Sequence, residues 1–79
     1  MADSRVMLIT GTRKGIGEKL VKHYAEQGFK VIGCSRKNID YKLANYQHFC
    51  LDVSHEEKVA ALFFEIKKSY GRLDYLINN

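Results

Sequence analysis

"LITGTRKGIG", residues 8–17, sets Gly11, Gly15 and Gly17 directly behind a short apolar run, with Arg13 and Lys14 between them. Glycine inside an element costs about 0.5–1 kcal/mol relative to alanine, so three together mark a backbone that turns sharply or is approached closely. The preceding run, "RVMLIT" (5–10), has the compact apolar pattern of a strand covered on both faces. From Gly15 to Gln27, the residues Ile16, Leu20, Val21, Tyr24 and Ala25 fall on one helical face, and Gly28 stops that helix. The stretch therefore reads strand, glycine turn, helix. In a βαβ unit such a turn aims the free N–H groups and the positive dipole end of the helix at the carboxyl edge of the sheet, where they favour an anion. A glycine-rich turn also serves simply as a tight connection. A Walker A loop is excluded, because Gly17 is followed by Glu18-Lys19-Leu20 where Gly-Lys-Ser/Thr is required.

The rest of the chain repeats the alternation. "FKVIGC" (29–34) is a second buried-type strand, "RKNIDYKLAN" (36–45) a polar loop with at most a short helix, and "YQHFCLDV" (46–53) a third strand. Ser54 and Glu57 have capping-box spacing, and the helix they open carries Val59, Leu62, Phe63, Ile66 and Tyr70 on one face before Gly71 ends it. "LDYLINN" (73–79) begins a fourth strand. Strands separated by helices pair in parallel, and right-handed crossovers predict the spatial order 3-2-1-4. The helix at about 15–28 then lies on one face of the sheet and the helix at about 55–70 on the other. The chain stops at the carboxyl end of a strand, so residues 1–79 read as part of a domain.

Composition narrows the function classes. Seventy-nine residues make one small domain, and chains of roughly 60 residues bury only about 60% of their unfolded surface. The formal charge of +4 suits a phosphate-bearing ligand. No dense basic run marks a nucleic-acid surface, so no nucleic-acid partner is expected. Cys34 and Cys50 form no C-x-x-C pair and read as small buried hydrophobes; His23, His48 and His55 share no spacing for a metal or a catalytic base. No metal is expected. No stretch has the form of a signal peptide or the roughly 20 apolar residues of a membrane span, so the expected location is the cytoplasm, with no membrane partner.

Several motifs together resemble one family. "TGTRKGIG" is similar to the T-G-x-x-x-G-I-G cofactor motif of the short-chain dehydrogenase/reductase family. "LDV" (51–53) resembles the segment after the third strand, whose acid and following residue contact the adenine. "LDYLINN" resembles the fourth strand running into N-N-A-G, of which Asn78 and Asn79 are present, and "SYGRLD" resembles the connection before it. The likeness covers residues 5–79 and is strongest to NADP-type ketoreductases such as 3-oxoacyl-carrier-protein reductases. It implies the N-terminal part of a Rossmann-type, doubly wound α/β sheet. The implied cofactor contacts are Gly11, Thr12, Arg13, Lys14, Gly15, Ile16 and Gly17 of the turn, Ser35 and Arg36 after the second strand, Asp52 and Val53 after the third, and Asn79 after the fourth.

The second strand decides between dinucleotides. NAD binders carry an acid near its end for the adenosine ribose hydroxyls. Here the chain reads Gly33-Cys34-Ser35-Arg36-Lys37, without a carboxylate. A 2′-phosphate carries roughly two negative charges near neutral pH, by analogy with other phosphate monoesters. Arg36 offers it a planar fork of donors. Lys14 resembles the second basic position of NADP-preferring relatives, and Ser35 adds a hydroxyl donor. Both bases also suit an ordinary solvated surface. NADP(H) is the expected cofactor.

The chemistry of the family needs a serine and a Tyr-x-x-x-Lys pair. The residues four positions after Tyr24, Tyr41, Tyr46, Tyr70 and Tyr75 are Gly28, Asn45, Cys50, Asp74 and Asn79, so no such pair occurs. In the family these groups lie beyond the fourth strand, and no catalytic residue is assigned within this chain. The expectation is an N-terminal fragment of an NADP(H)-dependent reductase, homo-oligomeric at full length, that transfers hydride between nicotinamide and a small carbonyl or alcohol. The alternative is a non-catalytic dinucleotide-binding module complete at 79 residues.

Overall fold

The structure, a computed structural model, describes residues 5–79. The elements follow in the order β1 (Val6–Thr10), α1 (Gly15–Glu26), β2 (Lys30–Ser35), β3 (Tyr46–Cys50), α2 (Glu56–Tyr70) and β4 (Tyr75–Ile77). All strand pairings are parallel and the sheet order is β3-β2-β1-β4, as the alternation predicts. Residues 36–45 contain no helix.

The period of two along β1 divides the core. Val6 and Leu8 point to one face, where Ile32 and Cys34 of β2 meet Leu62 and Ile66 of α2. Met7 and Ile9 point to the other, where Val31 meets Val21 and Ala25 of α1. The two helices thus cover opposite faces. β1 and β2 are buried on both sides, which is why they read as continuous apolar runs. β3 is an edge strand and only partly buried.

Several expectations are corrected. Ser54 and Glu57 make no capping box. His55 is the N-cap residue of α2 without a side-chain cap, and Ser54 instead turns back, its N–H and Oγ donating to Asp52 Oδ1 at 2.9 and 2.8 Å. An Asp two residues before a Ser competes for its donors, and the tight turn that results starts the helix one residue late. β3 ends at Cys50 instead of running to residue 53, and β4 is confined to Tyr75–Ile77. Cys50 is exposed, because its side chain lies on the edge strand; only Cys34 is a buried thiol. Ile16, placed by periodicity on the buried face of α1, is 69% exposed. It sits in the first turn of α1, at the rim of the sheet.

Candidate functional site

Four chain segments converge at the carboxyl edge of the sheet. A cleft of about 680 Å³ opens there, lined by the turn after β1 (Gly11, Arg13, Lys14), the end of β2 (Ser35, Arg36, Lys37), the residues after β3 (Asp52, Val53) and those after β4 (Asn78, Asn79). It lies where the strand order reverses between β1 and β4, the usual binding place of an open α/β sheet.

The glycines shape the turn. Gly11 and Gly15 have φ of +67° and +64°, the left-handed region that favours glycine. Gly17 is needed for space: a Cβ there would lie 1.9 Å from the Gly11 carbonyl oxygen. α1 begins at Gly15 with Lys14 as its N-cap residue and no side-chain cap, so the first-turn N–H groups are left for an anion.

The turn is held from behind. The Gly11 and Thr12 N–H groups both donate to the Cys34 carbonyl, at 2.9 and 3.2 Å. Asn79 donates its side-chain amide to the Gly11 carbonyl and its backbone N–H to Thr10 Oγ1, each at 3.0 Å, while Thr10 Oγ1 donates to Asn78 Oδ1. Asn79 therefore braces the turn and lines the cleft at once.

Charge in the cleft is one-sided. Arg13, Lys14, Arg36 and Lys37 line it, and among the described residues none of the four is paired with a carboxylate. The one acid, Asp52, spends Oδ1 on Ser54 and keeps Oδ2 open. The Ser54 N–H and hydroxyl hold its carboxyl below the usual range, with His55 and Arg36 adding to the effect. Val53, 55% exposed, offers an apolar surface beside it. Burial pushes the Cys34 thiol up, so it remains protonated. Among the described residues no cluster of His, Cys, Asp and Glu could hold a metal ion, and no helix is long and apolar enough to cross a membrane.

Of the twelve residues the sequence points to, Gly11, Arg13, Lys14, Ser35, Arg36, Asp52, Val53 and Asn79 line the cleft. Thr12, Gly15, Ile16 and Gly17 do not. Thr12 is fully buried, with its hydroxyl 2.7 Å from that of Tyr46. Gly17 is buried under the turn. Ser35 donates its hydroxyl proton to the Lys37 carbonyl and has none left for a ligand in this arrangement. Sequence reasoning missed Thr10, Cys34, Lys37, Leu51 and Asn78 as lining residues. Lys37 directly follows Arg36, and the basic pair was the available signal.

The residues fit a dinucleotide: unpaired cations and open N–H groups for phosphates, an apolar patch and one acceptor for a base. Relatives support that fit. A 3-oxoacyl-[acyl-carrier-protein] reductase of Vibrio cholerae is 32% identical, over 98% of this chain and 34% of its own. An uncharacterized oxidoreductase of Schizosaccharomyces pombe is 39% identical, over 92% of this chain and 26% of its own. Among solved structures, ElxO with NADP bound superposes with a TM-score of 0.84 at 32% identity, covering 95% of this chain and 34% of that one. A short chain dehydrogenase of Leptospira borgpetersenii with bound NAD+ gives 0.85 at 25% identity, covering 98% and 31%. The chain thus spans about a quarter to a third of the length of these proteins. The family profile for short chain dehydrogenase matches residues 5–79, the whole of the described sheet and its cleft. This chain belongs to the short chain dehydrogenase family.

Proposed function

We propose that the chain is the N-terminal, NADP(H)-binding part of a reductase that moves hydride between the nicotinamide and a small carbonyl or alcohol. The observation that carries this reading is the charge at the end of β2, where Arg36 and Lys37 line the same cleft as Lys14 and, among the described residues, none of the three forms an ion pair with a carboxylate. An acid at that position would hydrogen-bond ribose hydroxyls and repel a 2′-phosphate; two cations do the reverse. Both NADP and NAD+ are found in the structural relatives, so the choice rests on this chain's own residues.

The residues divide the cofactor between them. The N–H groups opening α1 hold the pyrophosphate. Arg36 grips the 2′-phosphate with its planar fork, and Lys14 adds a mobile charge. Asp52 Oδ2 accepts from the adenine amino group and Val53 packs on the ring. Bound here, the nicotinamide supplies or accepts hydride. No tyrosine of residues 1–79 is followed four residues later by lysine, and no proton donor to the substrate is assigned among them. The proposed partners are the carbonyl or alcohol substrate and further copies of the full chain.

The test is a calorimetric titration of the full chain with NADPH and NADH. NADPH binds about tenfold or more tightly, a difference of about 1.4 kcal/mol. Arg36→Asp reverses most of that preference, because a carboxylate then faces the phosphate. Equal affinities in the unmutated protein overturn the assignment.

A further inference from the structure

Behind the cleft wall, five groups form one chain of hydrogen bonds, and their chemistry fixes its direction. Ser35 Oγ has a single proton, and the Lys37 carbonyl can only accept, so that contact uses it. Ser35 Oγ must then accept from His48 Nε2–H at 2.9 Å. A neutral ring protonated on Nε2 has a lone pair on Nδ1, and this accepts from the Tyr46 hydroxyl at 2.7 Å. Tyr46 in turn accepts from Thr12 Oγ1 at 2.7 Å. The donors run from Thr12 through Tyr46, His48 and Ser35 to the Lys37 carbonyl. One end is the glycine turn; the other is the segment carrying Arg36. Gly33 makes the passage possible, since a Cβ there would lie 2.0 Å from the Tyr46 hydroxyl and 2.4 Å from Thr12 Oγ1.

We propose that His48, as the neutral Nε2–H tautomer, is a positioning residue that fixes the 35–37 turn, and with it Arg36, for the 2′-phosphate end of the cofactor. The proposal rests on the NADP(H) reading above. His48 lines no part of the cleft and acts on it through the 35–37 turn, by its bond to Ser35 and its interaction with the Lys37 carbonyl. Protonation of the ring would put a hydrogen on Nδ1 facing the hydroxyl that now donates to it. To keep that bond, Tyr46 would have to turn and donate to Thr12. Thr12 would then have to donate to the Cys34 carbonyl, at 3.5 Å a poor bond.

The ring's surroundings oppose the charge. Tyr46 faces it from β3, Ser35 from β2 and Thr12 from the glycine turn. Tyr41 of the 36–45 loop stacks on Tyr46 and donates to the Thr12 carbonyl. From α1, Lys22 lies over the Tyr41 ring and is paired with Glu18, and Asp40 acts on Lys22. Partial burial lowers the His48 pKa from its ordinary 6.5, against an opposing pull from the Lys37 carbonyl. The neutral form therefore predominates above pH 6.5, and the arrangement is lost as pH falls through the lowered value.

The experiment compares the full chain with His48→Gln and His48→Leu, titrating NADPH and NADH between pH 8 and pH 5. Glutamine supplies a non-titrating N–H for Ser35; leucine supplies none. At pH 8, NADPH affinity in His48→Gln stays within about twofold of wild type, and in His48→Leu it falls about fivefold, the worth of one hydrogen bond. NADH affinity changes in neither. The 2′-phosphate itself titrates near pH 6 in all three proteins, so the glutamine variant isolates the histidine. Wild type loses about fivefold more NADPH affinity than His48→Gln on acidification. Nitrogen NMR of the His48 ring reads the tautomer without any ligand, and expects the proton on Nε2. The proposal is overturned by an Nδ1–H tautomer, by identical pH profiles, by His48→Leu binding NADPH as wild type does, or by equal losses for NADPH and NADH. Wild type that binds neither dinucleotide overturns the cofactor reading itself and this proposal with it.

Discussion

Gly15 and Gly17 look alike in the sequence but resist substitution for different reasons. At Gly17 a methyl group would lie 1.9 Å from the Gly11 carbonyl oxygen, and the neighbour that must move is backbone braced by Asn79. Gly17→Ala therefore destabilises by about 3 kcal/mol and abolishes dinucleotide binding, as urea unfolding and a cofactor titration would show. Gly15 faces open space, and its φ of +64° is the only obstacle. Gly15→Ala costs about 1–2 kcal/mol, measured the same way. Equal losses at the two positions would contradict this account of the turn. The spacing of glycines announced a constrained turn. It did not reveal which one answers to contact and which to backbone angle, because that depends on Asn79, sixty-two residues beyond Gly17 in the chain. Thr12 was similarly misplaced: its motif position suggested a ligand contact, whereas its hydroxyl turns inward to a tyrosine of the third strand.

Acids organise the element boundaries more than helix caps do. Asp52 gathers the N–H and hydroxyl of Ser54 ahead of α2, and Asp74 gathers the Val6 N–H at 2.7 Å and the Arg72 guanidinium through two bonds. The Arg72 side chain chiefly, and then the Val6 N–H, hold the Asp74 carboxyl below its usual 3.8. A carboxyl depressed in the folded state stabilises above its unfolded pKa, and that contribution is lost as pH falls through the lowered value. Urea midpoints of the wild type should therefore fall on acidification below about pH 4, and Asp74→Asn should flatten that fall while lowering the midpoint at pH 7. An unchanged acid limb would show that the Arg72–Asp74 pair does not couple to folding. The elements themselves were legible wherever burial imposed a period: β1, β2 and both helices fall where the apolar pattern puts them. The boundaries were less so. Ser54 and Glu57 matched a cap by spacing, but Asp52 competes for the same donors, and no periodicity registers that competition.

The described residues form a parallel sheet with a helix on each face, and the order β3-β2-β1-β4 is the one expected from strand–helix alternation, right-handed crossovers and the family resemblance together. Its surface is less finished than its core. Among the described residues β4 pairs only with β1, and Leu76, Phe64 and Phe63 are 56%, 68% and 38% exposed. An open strand edge beside apolar side chains invites association. Residues 1–79 produced on their own should self-associate in light scattering, and Leu76→Lys with Phe64→Glu should reduce it; a monomer without those changes would contradict this. The cleft was legible in outline, since eight of the twelve expected residues line it. What the sequence hid was the hydrogen-bonded layer behind it, built by Thr12 of the glycine turn and Tyr46 and His48 of β3. The central claim is that one cleft takes the pyrophosphate at the glycine turn and reads the 2′-phosphate at the end of β2. A crystal structure of the full chain with NADP+ measures this directly. The account predicts the pyrophosphate over the N–H groups that open α1 and the 2′-phosphate within hydrogen-bond reach of Arg36. A 2′-phosphate left in solvent, or a dinucleotide seated away from the 11–17 turn, would contradict it.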